Sequence, residues 1–411
     1  MTLTKKIQFL ALLAAFALAA CSGSGDEDDF GNSQIESTAE GGQGSAVRST
    51  PIILPESFSG VLVEVTDSMH YQPTQFAEEL AKQPTLESYA SRMGDVAQFS
   101  QPIFRLAVNS RTPKMDQLFQ QKYGNGAQWQ IERYIFTYKT ISSISGADTV
   151  LVGTVTFPNN VLPGKNHEVT TLTLHHHQAA FDESWLPSKS PTMMTLHALH
   201  NSAVIEPDFM GANSDIMTIV GLYLNGDIVG QQMLHCVMAA LDVMRNHGVK
   251  LTDDGYSNNW GSSLAMPSTL GLAQYMENEA PEEVANTVRM RATFVGEGIT
   301  KFSHLGLVDP NHAPPTPSYK YNEGWNPQLP LYMSSCPNDN FVSYQALKDY
   351  CQELATRPDG TVNPDVEWID FNVANTELQE KIGGNHFVAS ILLLFYMSCA
   401  EDPADMVEYL R

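Results

Sequence analysis

The sequence predicts an α/β fold in which a mostly parallel central sheet carries helices on both faces and begins with an antiparallel hairpin. Two β-branched runs, 131–142 and 149–160, are separated by a Gly-Ala-Asp turn, and this pattern predicts the hairpin. After them, short apolar runs alternate with helical patterns, as is typical of parallel strands joined by helices. The chain has 411 residues, of which 43% are hydrophobic, so it can bury the large core that such a sheet requires.

The start of the chain is predicted to be a processing signal. Lys5 and Lys6 precede an apolar run over 7–20, which is the layout of a secretory signal peptide. The run ends in "LAAC", which resembles the lipobox of bacterial lipoproteins, where the cysteine becomes the lipidated first residue, acylated for example with palmitate. We therefore expect a lipoprotein signal peptide over 1–20 and a lipid on Cys21. The alternative is a plain signal peptide cleaved after an Ala-x-Ala sequence.

Residues 21–50 are predicted to form a flexible, acidic tether. They are rich in Gly, Ser, Asp and Glu, and such a segment cannot bury enough apolar surface to offset its ordering entropy. The sequence "DEDD" within it resembles the surface-export signals of Bacteroidetes lipoproteins, so we expect anchoring in the outer membrane, possible at either face. Residues 51–411 contain no repeat and no second linker, which predicts one folded domain.

Charge and cysteine spacing exclude several classes of protein. The net charge of −23 argues against a nucleic-acid partner, because phosphate binding requires clustered Lys and Arg. The cysteines that follow Cys21 form no C-x-x-C pair, so a zinc or iron–sulfur site is not expected. A disulfide between Cys336 and Cys351 and buried free thiols both stay open.

The elements of the domain follow from local periodicity. Residues 76–99 read as helices interrupted at a proline, and the hairpin comes next. Further strands are predicted over 167–177, 201–211, up to residue 263, and over 288–298, 329–335 and 365–373. Helices are predicted over 228–248, 264–279, 344–356 and 386–398. In such a sheet the chemistry lies in loops at the carboxyl ends of the strands.

One serine in the stretch "NNWGSSLAMPS" fits a nucleophile turn between a strand and a helix. In such a turn the residues two before and two after the serine crowd one another, so both must be small. Ser263 has Gly261 and Ala265 at these positions, although the second is usually glycine. The neighbouring serines fail the test because one or both flanking residues are bulky or polar: Ser257, Ser262 and Ser268.

The partners of this serine are predicted from chain order. Asp339 lies in a loop after the strand 329–335, and His386 lies just before the last helix, after the strand 365–373. In that arrangement His386 is the general base for Ser263, and Asp339 orients the imidazole. Taken singly, His386 reads equally as a helix cap and Asp339 as a turn residue.

These segments together resemble the α/β-hydrolase superfamily, especially its bacterial esterases and secretory-lipase-like members. The resemblance covers about 130–400 and is carried by "VGTVTFP", "AVIEPDFMGANSD", "GSSLA", "PNDNFV" and "GGNHF". It implies the α/β-hydrolase fold and a catalytic triad of Ser263, Asp339 and His386. It also implies one oxyanion donor at the backbone N–H of Leu264. The second donor is expected near His177 or Gln178, where this chain lacks the His-Gly of the family.

The three consecutive histidines in the adjacent run "HHHQ" also suggest a metal-binding site. Strand alternation places only His175 and His177 on one face, and no matching acidic cluster is evident. Packing or a lining of the substrate cleft is therefore the expected role, and we expect no metal and no cofactor.

The sequence thus predicts a lipid-anchored serine hydrolase that cleaves carboxylic esters, or peptide or amide bonds, through an acyl-enzyme. Its partners would be a small-molecule or peptide substrate and, through Cys21, the membrane. Segment 299–328 is expected to form either a cap over the cleft or a solvent-facing connection. The alternative function is a catalytically inactive, hydrolase-like lipoprotein that binds a surface glycan or peptide.

Overall fold

The central element of the molecule is one mixed β-sheet. The computed structural model describes residues 60–82, 96–143, 147–162, 164, 166–177, 184, 186–209, 223–301, 304–305, 324–337, 339, 341–371 and 386–410. Nine strands pair among them in the order β1-β2-β3-β5-β4-β6-β7-β8-β9. Their bounds are β1 Leu62–Tyr71, β2 Trp129–Ile141, β3 Asp148–Asn160, β4 His167–His176, β5 Ser202–Asp208, β6 Val249–Ser262, β7 Met290–Gly296, β8 Leu331–Ser335 and β9 Val366–Asp370.

Helices cover both faces of this sheet. Their bounds are α1 Pro73–Ala81, α2 Val96–Tyr123, α3 Gly226–Asn246, α4 Met266–Asn278, α5 Glu282–Val288, α6 Tyr344–Leu354, α7 His386–Cys399 and α8 Asp405–Leu410, with a 3-10 helix over Met193–His200. Adjacent residues of one strand point to opposite faces and so enter different clusters. On β5, Val204 packs with α7 and Trp260, whereas Ile205 packs with α3 and α4.

The predicted architecture is confirmed. Strands β2 and β3 form the expected antiparallel hairpin, and β3 also pairs antiparallel with β5. From β5 onward, the strands β5, β4, β6, β7, β8 and β9 pair parallel with one another. The sequence did not reveal β1, an edge strand antiparallel to β2 whose side chains are mostly exposed. A strand with little buried surface carries a weak hydrophobic pattern, which explains the omission. The division into signal, tether and domain stays a prediction.

The parallel register brings the ends of three neighbouring strands to one edge. Ser262 pairs with Gly296, and Gly296 pairs with Ser334, so β6, β7 and β8 end at the same level. The chain leaves this edge after each of these strands, in loops that lead into the next element. Polar side chains in those loops therefore converge, as expected at the carboxyl edge of a parallel sheet.

Two further expectations concern cysteines and membrane spans. Cys236, Cys336, Cys351 and Cys399 are free thiols, so the Cys336–Cys351 disulfide does not form.

Helix α7 is the buried helix expected from its apolar sequence, and it packs against the central strands. Within the described part of the chain, no helix has the length and apolar character needed to cross a bilayer.

Helix α7, which begins at His386, is expected to contribute strongly to stability, because its side chains pack in a buried hydrophobic cluster against the sheet. Leu393 is fully buried beside Trp260 and Phe294. We expect Leu393→Ala to lower the free energy of unfolding by about 2–5 kcal/mol, since it removes buried methyl groups and leaves a cavity. Urea denaturation measures this change.

The matched control is Leu106→Ala on α2. Leu106 is 45% exposed, so its truncation should change the free energy of unfolding by less than about 0.5 kcal/mol. Equal losses for the two variants would contradict the assignment of α7 to the core.

Candidate active site

Ser263 occupies a sharp turn between β6 and α4. Ser262 is extended, with φ of −142°, and Ser263 then adopts a left-handed backbone conformation with φ of 53°. A non-glycine residue in this region carries steric strain of about 1–2 kcal/mol. The turn points the hydroxyl away from the strand and leads directly into a helix, the geometry known as a nucleophile elbow.

Steric crowding in the turn explains why the residues that flank Ser263 are small. A Cβ atom at Gly261 would lie 1.9 Å from Thr269 Oγ1 and 3.3 Å from the carbonyl oxygen of Ala265. Thr269 itself is fixed, because its hydroxyl donates to that carbonyl at 2.8 Å. Only glycine fits at 261. The methyl group of Ala265 is accommodated within the core, so alanine in place of the usual glycine does not prevent the turn.

A hydrogen-bonded chain joins the serine to a histidine and an aspartate. The Ser263 Oγ lies 2.8 Å from His386 Nε2, and His386 Nδ1 lies 2.6 Å from Asp339 Oδ2. His386 is 3% exposed and Ser263 is 9% exposed, so bulk water does not screen these contacts. The three residues predicted from chain order are therefore brought together.

The loop after β8 holds Asp339 in place. Its second oxygen, Oδ1, accepts the backbone N–H groups of Phe341 at 2.7 Å and Val342 at 2.9 Å. The Phe341 ring lies against the imidazole, with ring centroids 5.2 Å apart. Asp339 therefore has one oxygen tied to the loop and the other turned to His386, which fixes the orientation of the ring.

Ser390 is a second hydroxyl beside the imidazole. It lies one turn into α7, buried, with its Oγ 3.4 Å from His386 Nε2. This contact is longer than that of Ser263, so Ser263 is the principal partner of the nitrogen.

The oxyanion region is only partly described. Leu264 directly follows the serine at the start of the helical turn and is buried, and its role as an oxyanion donor stays a prediction. His177 follows the last residue of β4, at the same edge of the sheet. Gln178 and most of segment 299–328 lie outside the described residues, so the second donor and the cap stay predictions.

The three consecutive histidines have separate environments. His176 is buried between Ser268 and Asn259, with Nε2 2.7 Å from Asn259 Oδ1, and burial lowers its pKa to about 3. His175 lies on the opposite face, 2.6 Å from Glu206, a partner that sequence reasoning missed. The rings of His175 and His177 are 6.0 Å apart, as expected for residues on one face of a strand.

Glu297 is a site residue that sequence reasoning also missed. It follows β7 directly, is fully buried, and its Oε2 lies 4.0 Å from His386 Nδ1. Burial, and then the charge of Asp339, raise the pKa of this carboxyl well above its ordinary value. An available signal was its position in "FVGEG", at the carboxyl end of a buried strand, like Asp339.

Glu297, Asp339 and His386 also form the only group of three potential metal ligands among the described residues, with ligand atoms within 4.8 Å of one another. The 2.6 Å contact between His386 Nδ1 and Asp339 is a hydrogen bond and leaves no space for an ion between the two atoms. The arrangement instead suits proton transfer: the imidazole can take a proton from the serine while Asp339 stabilises the resulting cation.

Comparison with known proteins supports the architecture. No protein-family model matches the sequence, and no curated protein sequence does. A point mutant of the rice cell wall degrading esterase LipA from Xanthomonas oryzae is similar in structure, with a TM-score of 0.50 and 12% identity over 84% of this chain and 99% of that chain. Lipase A from Candida antarctica has a TM-score of 0.41 and 13% identity over 62% and 74%. At 12% identity, the likeness to LipA concerns the fold alone.

The turn at Ser263 gives a test by paired substitution. We expect Gly261→Ala to lower the free energy of unfolding by about 1–3 kcal/mol, because the new methyl group overlaps the Thr269 hydroxyl. Removing that hydroxyl relieves the closest contact, so Gly261→Ala/Thr269→Ala should be less destabilised than the sum of the two single variants. Urea denaturation of all four proteins measures the coupling, and strictly additive losses would contradict the proposed overlap.

Proposed function

We propose that this chain, which has the α/β-hydrolase fold, is a serine hydrolase that cleaves carboxylic esters through an acyl-enzyme on Ser263. The observation that carries the proposal is the hydrogen-bonded chain from Ser263 through His386 to Asp339, with the serine held in a left-handed turn. A serine hydroxyl is a weak nucleophile unless a positioned base removes its proton, and His386 Nε2 lies at hydrogen-bonding distance from it.

The acylation step follows from this geometry. Ser263 Oγ attacks the carbonyl carbon of the ester while its proton passes to His386 Nε2. Asp339 stabilises the imidazolium through Nδ1–H. The carbonyl oxygen becomes an oxyanion and accepts the backbone N–H of Leu264, with a second donor near His177 or Gln178. The tetrahedral intermediate then expels the alcohol, which takes the proton from His386 and leaves an acyl group on Ser263.

The deacylation step repeats the same proton transfers with water. His386 removes a proton from a water molecule, the hydroxide attacks the acyl carbon, and Ser263 leaves as its alcohol after reprotonation. The acid product departs and the site returns to its starting state. The residues bind no cofactor in this scheme.

An ester is preferred to an amide as the substrate for a chemical reason. An alkoxide leaves more readily than an amine anion, so an amide demands stronger protonation of the leaving group and tighter substrate positioning. Fold similarity to the esterase LipA is consistent with this choice.

Segment 299–328 would shape the acyl pocket. Its C-terminal end is fastened by Glu277, which accepts Trp325 Nε1–H at 2.9 Å and the N–H groups of Gln328 and Leu329.

We propose in addition that the protein is exported and held at the outer membrane by lipid on Cys21. The support is the sequence alone: a basic start, an apolar run, "LAAC" and an acidic tether. The tether over 21–50 would let the domain reach substrates at some distance from the bilayer.

A fluorophosphonate probe tests the nucleophile, because it reacts covalently with activated serines. We expect the wild-type protein to be labelled and Ser263→Ala to be unlabelled, with hydrolysis of p-nitrophenyl esters reduced by about 10³-fold or more. Gel fluorescence and intact-protein mass measure the labelling. Ser262→Ala is the matched control, since it removes the adjacent hydroxyl, and it should remain labelled.

The opposite result has a defined meaning. If well-folded wild-type protein is not labelled and hydrolyses no ester, the enzyme proposal fails. The non-catalytic alternative, a hydrolase-like lipoprotein that binds a surface glycan or peptide, would then stand in its place.

Cys21→Ser tests the anchor. We expect the wild-type protein to incorporate an alkyne-labelled palmitate analogue and to sediment with membranes, whereas Cys21→Ser should incorporate none and appear in the soluble fraction, because one thiol carries the lipid. Metabolic labelling and fractionation measure both properties, with Cys399→Ser as the control cysteine. Incorporation that persists in Cys21→Ser would contradict the assignment.

A further inference from the structure

Glu297 is the fourth polar side chain at the edge where the parallel strands end. Ser263 follows β6, Glu297 follows β7, and Asp339 follows β8, and these three strands are neighbours in the sheet. Glu297 thus lies between the strand of the serine and the strand of the aspartate. A carboxyl group at this position belongs to the same edge of the sheet as the candidate triad, although the mechanism above does not use it.

The backbone of Glu297 is held in a specific conformation. Its φ is 50°, in the left-handed region that non-glycine residues rarely adopt, and its N–H donates to the Ser334 carbonyl at 2.8 Å. The side chain is fully buried, and Oε1 accepts the Cys336 N–H at 2.9 Å. One carboxylate oxygen therefore fastens the start of the loop that carries Asp339.

The other oxygen has no protein donor. Among the described residues, no hydrogen-bond donor is directed at the buried Glu297 Oε2. It lies 4.0 Å from His386 Nδ1, in a group whose ligand atoms, one of them from Asp339, are within 4.8 Å of one another. An unpartnered buried oxygen is costly unless it carries a proton that it can donate.

Two carboxylates beside one imidazole cannot both be ionised without strong repulsion. Asp339 already accepts three hydrogen bonds, from His386, Phe341 and Val342, so both of its oxygens are engaged as acceptors. Glu297 accepts one and is fully buried, and burial together with the Asp339 charge raises its pKa. The proton of the pair therefore resides on Glu297, and Asp339 Oδ2 retains a lone pair that can accept it.

We propose that Glu297 is a second acid of this site: in its neutral form it positions Asp339 by donating its Oε2–H, and without Asp339 it ionises and accepts the Nδ1–H of His386. The inference rests on the proposed function. In the second role the proton of Glu297 goes to solvent, and the carboxylate needs to approach the imidazole by about 1 Å to reach hydrogen-bond length. Removal of the Asp339 side chain provides the space for that approach.

A double-mutant cycle on ester hydrolysis tests the proposal. We expect Asp339→Ala to lower kcat/KM by about 10²–10³-fold, less than the roughly 10⁴-fold typical of losing the triad acid, because Glu297 replaces it. In the wild-type background, Glu297→Gln should cost less than about tenfold, since the amide keeps both an acceptor for Cys336 N–H and a donor for Asp339. In the Asp339→Ala background the same change should cost about a further 10–100-fold.

One outcome of this double-mutant cycle would contradict the proposal. If Glu297→Gln lowers kcat/KM by the same factor in both backgrounds, Glu297 does not replace Asp339 and the proposal is overturned. Glu353→Gln makes the same chemical change on the exposed face of α6 and controls for the loss of one negative charge. It should have no effect in either background.

The pH profile of Asp339→Ala gives a second test that needs no Glu297 variant. A site without a replacement acid gains no new ionisation step, so its kcat/KM should reach a plateau at a pH no higher than that of the wild type. If Glu297 must first lose its proton, the plateau should instead come at a higher pH. A plateau at the same or a lower pH would overturn the proposal even if Glu297→Gln failed to fold.

Failure here is distinguishable from failure of the proposed function. Fluorophosphonate labelling that depends on Ser263, together with additive effects at Glu297 and Asp339, would leave the hydrolase standing and remove only the second acid. Absence of labelling in all folded variants would remove both.

Discussion

The constraint on which the site depends is the left-handed backbone of Ser263. The chain must leave β6, reverse within one residue and enter α4, and this is achieved only because Gly261 offers no side chain to Thr269. The packed core around the turn holds Ser263 in this strained backbone conformation. Trp260 before the turn and Met266 after it are both almost fully buried. Because the surrounding core fixes the turn, the hydroxyl is presented at one position, and the histidine and aspartate need only reach that position.

Much of this arrangement could be predicted from the sequence, because it depends on local patterns. Strand and helix periodicity gave the alternating order, and the small-residue requirement of the turn separated Ser263 from its neighbours. Asp339 and His386 could be predicted because each follows a recognisable strand. The sequence shows that Glu297 follows a strand, but it does not show the role of Glu297, since that role depends on burial and on Asp339, 42 positions away in sequence. Strand β1 was not predicted because its mostly exposed side chains show little hydrophobic periodicity.

The region beneath the site is more polar than a sheet core usually is. His176 is paired with Ser268 and Asn259, His175 with Glu206, and Glu206 in turn accepts the Thr192 hydroxyl. A run of three histidines in a sequence suggests a metal site or a cleft, and only the two-residue period of the strand separates their environments. Each of these contacts joins elements distant in sequence, so the network ties β4, β5, β6 and α4 together and limits the number of alternative packings of the core.

The order of the elements along the chain has a consequence for how the site is assembled. Ser263 and His386 are 123 residues apart, and His386 begins the helix that follows the last strand of the sheet. The turn at Ser263 is built from residues close in sequence, whereas His386 lies beyond β7, β8 and β9, at the start of α7. A chain that has not completed the sheet therefore has Ser263 without the imidazole that it contacts in the folded protein. The contact between Ser263 and His386 is therefore a property of the completed fold rather than of any local segment.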